Sequence, residues 1–251
     1  MVCVCSGAAI CVIVAAQLPG NVRPMRVHVA FTPVEAARVP TGIVVDVLRA
    51  TSTIVQALDA GYRTVYCCAE VEEARALKEE LGDAVLGGER GGDPLPGFDF
   101  GNSPLEYLSP QAEEIVITTT NGTRAVVGGA ANCDLVLVGS MLNLDAVAAA
   151  ARERDEDVEV VCAGLRGGPS EDDAYCAGRI AALLGGEATE AAERALELAA
   201  SYATAEEAFR TVRRVGETVA EEDLVWCARE SVSAVVPRFD GMRGTAARLV
   251  A

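Results

Sequence analysis

The stretch Gly42-Ile43-Val44-Val45-Asp46-Val47-Leu48-Arg49-Ala50-Thr51-Ser52-Thr53 decides the fold class. Its apolar residues run on without polar alternation, which marks a strand buried on both faces. A carboxylate closes that run, and three hydroxyl residues open the helical pattern over 51–60. The same order repeats along the chain. Strand patterns at 26–31, 42–47, 64–68, 84–87, 114–118, 135–138 and 158–162 alternate with helical patterns at 51–60, 70–81, 122–129, 142–154 and 172–184. Such alternation predicts an α/β fold, a largely parallel or mixed sheet with helices on both sides. Ligands then sit at the carboxyl ends of the strands, so the turn after each strand is where site residues are sought.

Residues 187–232 break the pattern. They read as helices at 189–201, 203–215 and 221–232, rich in Ala, Glu and Arg. With no flexible linker before them, they are expected to pack on the sheet as part of one domain spanning 25–251. No element is assigned beyond Val235-Val236-Pro237. Residues 1–24 differ in composition, with three cysteines and the apolar run 8–16. No basic residue precedes that run, and it is far shorter than the roughly 20 residues a bilayer span needs. We read 1–24 as a non-native or disordered extension.

Composition narrows the function. The chain has 251 residues, 51% apolar and 23% charged, with 21 basic and 37 acidic residues and a net charge of −16. That balance argues against phosphate-backbone binding to nucleic acid. His28 is the only histidine and Lys78 the only lysine, which excludes multi-histidine metal sites and a P-loop lysine. The nine cysteines show no Cys-x-x-Cys spacing. They read as buried, reduced thiols in a cytoplasmic protein.

Hydrolysis or group transfer is left to carboxylates, arginines, hydroxyls, glycine loops and a metal. Asp46, Arg49 and the hydroxyls 51–53, Ser52 among them, form one anion or metal candidate; a Thr51 or Ser52 helix cap with an Asp46–Arg49 pair is the equal alternative. The loop 87–104 carries Glu89, Arg90, Asp99, Asn102 and Ser103 among glycines. Thr119-Thr120-Asn121-Gly122-Thr123 is a hydroxyl-rich turn opening a helix, the arrangement of a phosphate cradle or of an ordinary capped turn. Ser140 fits a capping turn. Glu171-Asp172-Asp173 comes after a strand and a glycine loop, where oxygen ligands could hold a hard cation or simply favour the helix dipole.

The ordered strings Asp46-Val47-Leu48-Arg49-Ala50-Thr51-Ser52, Gly88-Glu89-Arg90-Gly91-Gly92, 97–104, Thr119-Thr120-Asn121-Gly122-Thr123 and Cys176-Ala177-Gly178 resemble the 2-phosphosulfolactate phosphatase family over about 26–241. The resemblance implies a three-layer α/β/α fold and Mg²⁺-dependent hydrolysis of 2-phospho-3-sulfolactate to sulfolactate and phosphate. In methanogens that step belongs to coenzyme M biosynthesis. One departure is local: the family tends to read Ser-Leu-Glu-Asp where this chain has Ser170-Glu171-Asp172-Asp173.

With the residues and the resemblance taken together, Asp46, Arg49, Glu89 and Asn121 are the catalytic candidates. Asp46, Glu89 and Asp172 are the candidate Mg²⁺ ligands. Arg49, Ser52, Arg90, Asn102, Ser103, Thr119, Thr120, Asn121, Gly122, Thr123 and Ser140 are the candidate substrate contacts. The expected partner is a small anionic substrate, with neither nucleic acid nor membrane; a homo-oligomer stays open. Two other readings remain: a phosphatase of another 2-hydroxy-acid phosphate, and a non-catalytic binder of small anions.

Removing residues 1–24 is expected to leave folding and activity unchanged. A fall of more than a few degrees in the thermal midpoint of the truncated protein would contradict that.

Overall fold

The structure is a computed structural model that describes residues 24–213 and 219–251. The expected extension, up to residue 23, lies outside the described residues, as does the end of the helix expected over 203–215. The first half runs β1 (Arg26–Ala30), β2 (Thr41–Val45), α1 (Ala50–Ala60), β3 (Thr64–Cys67), α2 (Val71–Leu81), β4 (Ala84–Arg90), β5 (Asp93–Pro94), β6 (Glu114–Thr118) and α3 (Gly122–Asn132). It continues with β7 (Leu135–Gly139), α4 (Leu144–Arg152), β8 (Val158–Cys162), α5 (Glu171–Leu184), β9 (Glu187–Ala188), α6 (Glu190–Ala200), α7 (Ala205–Arg213), α8 (Glu221–Cys227), β10 (Arg238–Arg243) and β11 (Ala246–Val250). No helix among the described residues is long and apolar enough to cross a membrane.

One mixed sheet has the order β5-β4-β6-β3-β11-β10-β7-β2-β8-β1-β9. It contains two parallel blocks. One is β4, β6 and β3; the other is β7, β2, β8, β1 and β9. The β10–β11 hairpin joins them by antiparallel pairings on both sides. Three reversals would aim the two blocks' carboxyl ends in opposite directions in a flat sheet. The sheet is not flat: β2 and β6 stand five places apart in the order, yet a Cβ on Gly122 after β6 would lie 2.5 Å from Asp46 Oδ2 after β2. The sheet is therefore bent so that the carboxyl ends of both blocks meet at one crevice.

Burial reflects this arrangement. Alternate residues of β2 point to different layers: Ile43 and Val45 join the core under α4, α5 and α6, whereas Val44 joins the core around α1 and α3. The α1–α3 core draws on both blocks, with Val136 and Val138 from one side and Val65, Ile115 and Ile117 from the other. Helix α2 covers the outer face of the smaller block through Ala74 and Leu77. Helices α1 and α3 therefore sit inside the bend of the sheet.

Three expectations need correction. The unassigned tail forms the β10–β11 hairpin, which fills the centre of the sheet rather than an edge. Glu89 and Arg90 belong to β4 and its short hairpin with β5, not to an irregular loop. The last predicted helix ends at Cys227, not 232, because Ser231 and Ser233 donate their backbone N–H groups to the Met141 and Leu142 carbonyls instead. None of the six described cysteines is in a disulfide, and all but Cys133 are buried. Burial pushes the Cys68 and Cys227 thiols up to about 12.

Gly178 explains part of one motif. A Cβ there would lie 2.1 Å from the Ala195 carbonyl oxygen of α6. Gly178→Ala should cost about 2 kcal/mol, a fall of roughly 4–8 °C in Tm, because backbone cannot yield as a side chain can. An unchanged Tm would contradict the close α5–α6 contact.

Glu159 on β8 is 3% exposed, and its Oε2 accepts a hydrogen bond from the Ala37 N–H at 2.9 Å. Burial raises its carboxyl from the ordinary 4.5 to about 7. Between those values the folded chain keeps a proton the unfolded chain has released, so stability falls as pH rises through that window. Glu159→Gln should remove that slope and raise Tm at pH 8 relative to wild type. Equal pH slopes for the two proteins would show that Glu159 is not desolvated in this way.

Candidate active site

The strand ends converge on one cavity of about 150 Å³. Asp46, Leu48 and Arg49 line it from the turn after β2. Glu89, Gly91, Gly92 and Asp93 come from the β4–β5 hairpin, and Asn102 from the loop beyond it. Thr120 and Asn121 enter before α3, Leu165 and Arg166 after β8, and Val219 from just before α8.

Asp46 is fixed by its own turn. Its carbonyl accepts from the Thr51 N–H and the Thr51 hydroxyl, both at 2.9 Å. Its Oδ1 faces the Ala50 N–H at 3.4 Å, at the opening of α1. On the other side stands Gly122. A Cβ there would lie 2.5 Å from Asp46 Oδ2 and 2.5 Å from the Ala50 Cβ. Only glycine lets the first turn of α3 close against the carboxylate.

Arg49 is held by Asp223 of α8, Nη1 to Oδ2 at 2.6 Å, with side-chain exposures of 13% and 3%. The other Asp223 oxygen accepts from the Ser103 hydroxyl. One buried carboxylate thus ties the α1 turn to the 102–103 loop and to α8. A guanidinium carries five N–H groups, so donors remain for a ligand after this single contact.

Glu89 acts as a brace. Its Oε1 accepts from the Thr120 N–H at 2.7 Å, and its Oε2 from the Gly92 N–H at 2.7 Å and the Thr120 hydroxyl at 2.9 Å. The β4–β5 hairpin and the α3 turn are locked together across the cavity wall. Asn102 differs: its Oδ1 is buried and has no hydrogen-bond partner among the described residues. A buried, unsatisfied acceptor is costly unless a ligand completes it.

Several expected site residues lie elsewhere. The Ser52 hydroxyl donates to the Val47 carbonyl at 2.8 Å, inside the core. Arg90 turns away and donates to the Glu89 and Ala69 carbonyls and the Thr118 hydroxyl. Thr119 and Thr123 form a reciprocal box, each side-chain hydroxyl accepting from the other's N–H, at 3.1 and 2.9 Å. Ser140 caps a short 3-10 turn, its hydroxyl accepting from the Leu142 N–H. Asp172 is buried against the Ser170 hydroxyl and does not line the cavity. These groups shape the turns that carry the lining residues.

Asp223, Asp173 and Arg166 were not among the site residues expected from the sequence. Asp173 accepts from the Val47 N–H at 2.8 Å and the Gly164 N–H at 3.0 Å, so it fastens the β2 turn to the β8 turn. Burial, with the Asp172 and Asp46 charges beside it, holds its carboxyl well above the usual range. Burial also raises Asp172.

For a divalent cation the side-chain oxygens on the cavity, among the described residues, belong to the carboxylates Asp46, Glu89 and Asp93, the amides Asn102 and Asn121, and Thr120. No group of three or more His, Cys, Asp or Glu side chains is arranged to hold an ion by itself among the described residues. Mg²⁺ needs no such cage, since it takes one or two carboxylates plus water and substrate oxygens. The orphaned Asn102 Oδ1 in a carboxylate-lined cavity fits that mode.

A sequence profile of the 2-phosphosulpholactate phosphatase family matches residues 30–241. The chain is 38% identical over 218 residues to the 2-phosphosulfolactate phosphatase of Methanothermobacter thermautotrophicus, covering 86% of this chain and 92% of that protein. It is 39% identical over 236 residues to a "Probable 2-phosphosulfolactate phosphatase" of Thermus thermophilus, covering 88% and 98% respectively. A Clostridium acetobutylicum protein of the same printed name is 36% identical over 221 residues, covering 82% of this chain and 92% of its own length. The matched span takes in every described cavity residue, from Asp46 to Val219. The chain belongs to the 2-phosphosulfolactate phosphatase family.

Proposed function

We propose that this chain is a Mg²⁺-dependent phosphatase that hydrolyses 2-phospho-3-sulfolactate to 3-sulfolactate and phosphate. The observation that carries the reading is the meeting of Asp46, Arg49, the unpartnered Asn102 Oδ1 and the α3 turn around one small, polar cavity. A volume of about 150 Å³ suits a compact ester better than a polymer or a nucleotide.

Asp46 and Asn102 would hold the Mg²⁺, with Glu89 behind them through its remaining lone pair on Oε1. When bound, the ion supplies charge neutralisation at the phosphoryl oxygens and orientation of the attacking water. The protein's own groups do the positioning. Arg49, steadied by Asp223, directs its free N–H groups at the phosphoryl oxygens. The α3 N-terminus, opened by Asn121 and Gly122, adds a positive dipole end on the same side. Glu89 keeps the hairpin and the α3 turn in register, so these donors need not reorganise as charge develops. Local donors must also overcome a chain of net charge −16, which repels a polyanion at long range.

A screen of 2-phospho-carboxylic acids, with and without Mg²⁺, tests the assignment. Turnover of 2-phospho-3-sulfolactate should vanish after EDTA treatment and return with Mg²⁺; full activity after exhaustive chelation would rule out the metal. Asp46→Asn should lower kcat by roughly 10²-fold or more, as expected for a group acting electrostatically at the reacting centre. Arg49→Lys should also be damaging, because a fork becomes a point charge. A kcat within threefold of wild type for Asp46→Asn, roughly 0.6 kcal/mol of barrier, would reduce Asp46 to a structural turn residue.

A further inference from the structure

Among the described residues two cations line the cavity, Arg49 and Arg166. Arg49 is committed to Asp223 at 2.6 Å. Arg166 is exposed, and no salt bridge or side-chain hydrogen bond engages it among the described residues. In a chain with 37 acidic residues an unengaged arginine at the mouth of a polar cavity is notable.

Its backbone is notable as well. Arg166 has φ +52° and Gly167 φ +81°. The flanking residues close a tight turn, Leu165 N–H to the Gly168 carbonyl at 2.8 Å and Gly168 N–H to the Leu165 carbonyl at 2.9 Å. Two successive left-handed residues define a type I′ turn, for which Asn-Gly is the favoured pair. An arginine at the first position is held in a disfavoured conformation, and such residues concentrate at ligand clamps. Gly164 seats the turn from below, where a Cβ would lie 2.4 Å from the Gly168 oxygen. The fold therefore fixes where the Arg166 side chain starts, at a position where asparagine would fit the backbone better.

We propose that Arg166 receives the sulfonate of the substrate and sets the preference for phosphate esters that carry a second strong anion. The proposal rests on the phosphatase reading above. On that reading Arg49 and the cation site serve the phosphoryl end, and Arg166, the unengaged cation on the cavity among the described residues, is left for the far end. A guanidinium fork pairs with two oxygens of a sulfonate at once, which gives direction as well as charge.

The test compares kcat/KM for 2-phospho-3-sulfolactate and for 2-phospholactate, which keeps the carboxylate and lacks the sulfonate. Arg166→Asn should lower kcat/KM on the sulfonated ester by about 10–100-fold, chiefly through KM. The loss on 2-phospholactate should be at least tenfold smaller, and Arg166→Lys should recover part of the difference. Tm of Arg166→Asn should equal or exceed that of wild type, since the turn gains its favoured residue. Equal losses on both esters, as a carboxylate or phosphate contact would give, overturn the proposal; so does no loss on either. If wild type hydrolyses neither ester, the phosphatase reading has failed, and calorimetric titration with 3-sulfolactate and lactate decides Arg166 separately. Wild type should then bind sulfolactate more tightly than lactate, and Arg166→Asn should erase that difference; equal affinities in wild type refute the sulfonate contact.

Discussion

Asp46 lies against the backbone of Gly122 with no room for a methyl group between them. That contact is where the two parallel blocks of the sheet meet in function. Asp46 comes just after β2 of the larger block, and Gly122 just after β6 of the smaller one. Neither block alone makes the cavity. The β10–β11 hairpin joins them, and the sheet bends so that their carboxyl ends meet at one crevice. With α1 and α3 packed inside the bend, the two turns that carry Asp46 and Asn121 have little freedom to separate.

The charged groups around this contact divide into braces and cavity-lining groups. Glu89 gives both oxygens to three donors, and Asp173 bridges the β2 and β8 turns by two backbone N–H groups. Asp223 holds Arg49 and Ser103 from α8. These buried carboxylates fix backbone and side chains whose other donors face the cavity. The helical segment beyond α5 is accordingly part of the site's construction, because α8 carries Asp223 and Val219 lines the cavity beside it. Preorganisation of this kind places donors before charge develops, which is where electrostatic catalysis gains most.

The alternation of apolar runs and helical patterns made the parallel strands and most helices legible, since both-face burial leaves continuous Val/Ile/Leu stretches. The central hairpin was not legible. β10 reads Arg238-Phe239-Asp240-Gly241-Met242-Arg243, and its place in the sheet comes from pairing with β7 and β11 rather than from an apolar run of its own. The site was partly legible: Asp46, Arg49, Glu89, Asn102, Thr120 and Asn121 do share one cavity. What local reading could not separate was direction. Arg90 and Glu89 are neighbours on one strand, so their side chains leave opposite faces. Asp172 and Asp173 look alike as helix-opening acids, yet only Asp173 reaches the β2 turn. Asp223 sits in Glu221-Glu222-Asp223, which reads as dipole-favouring charge; its partnership with Arg49 spans 174 positions. Arg166 lies in a glycine-rich loop, and its value depends on a backbone angle that no residue string displays.

The central claim is that cation and phosphoryl group are held together where the two blocks meet. Crystals of the full chain soaked with Mn²⁺ and phosphate test it directly, by anomalous scattering at the manganese edge. The account predicts a single strong peak bounded by Asp46 and the Asn102 Oδ1, with phosphate beside it toward Arg49. A peak seated instead at Asp172 and Asp173, or no peak within the cavity at saturating metal, would contradict it.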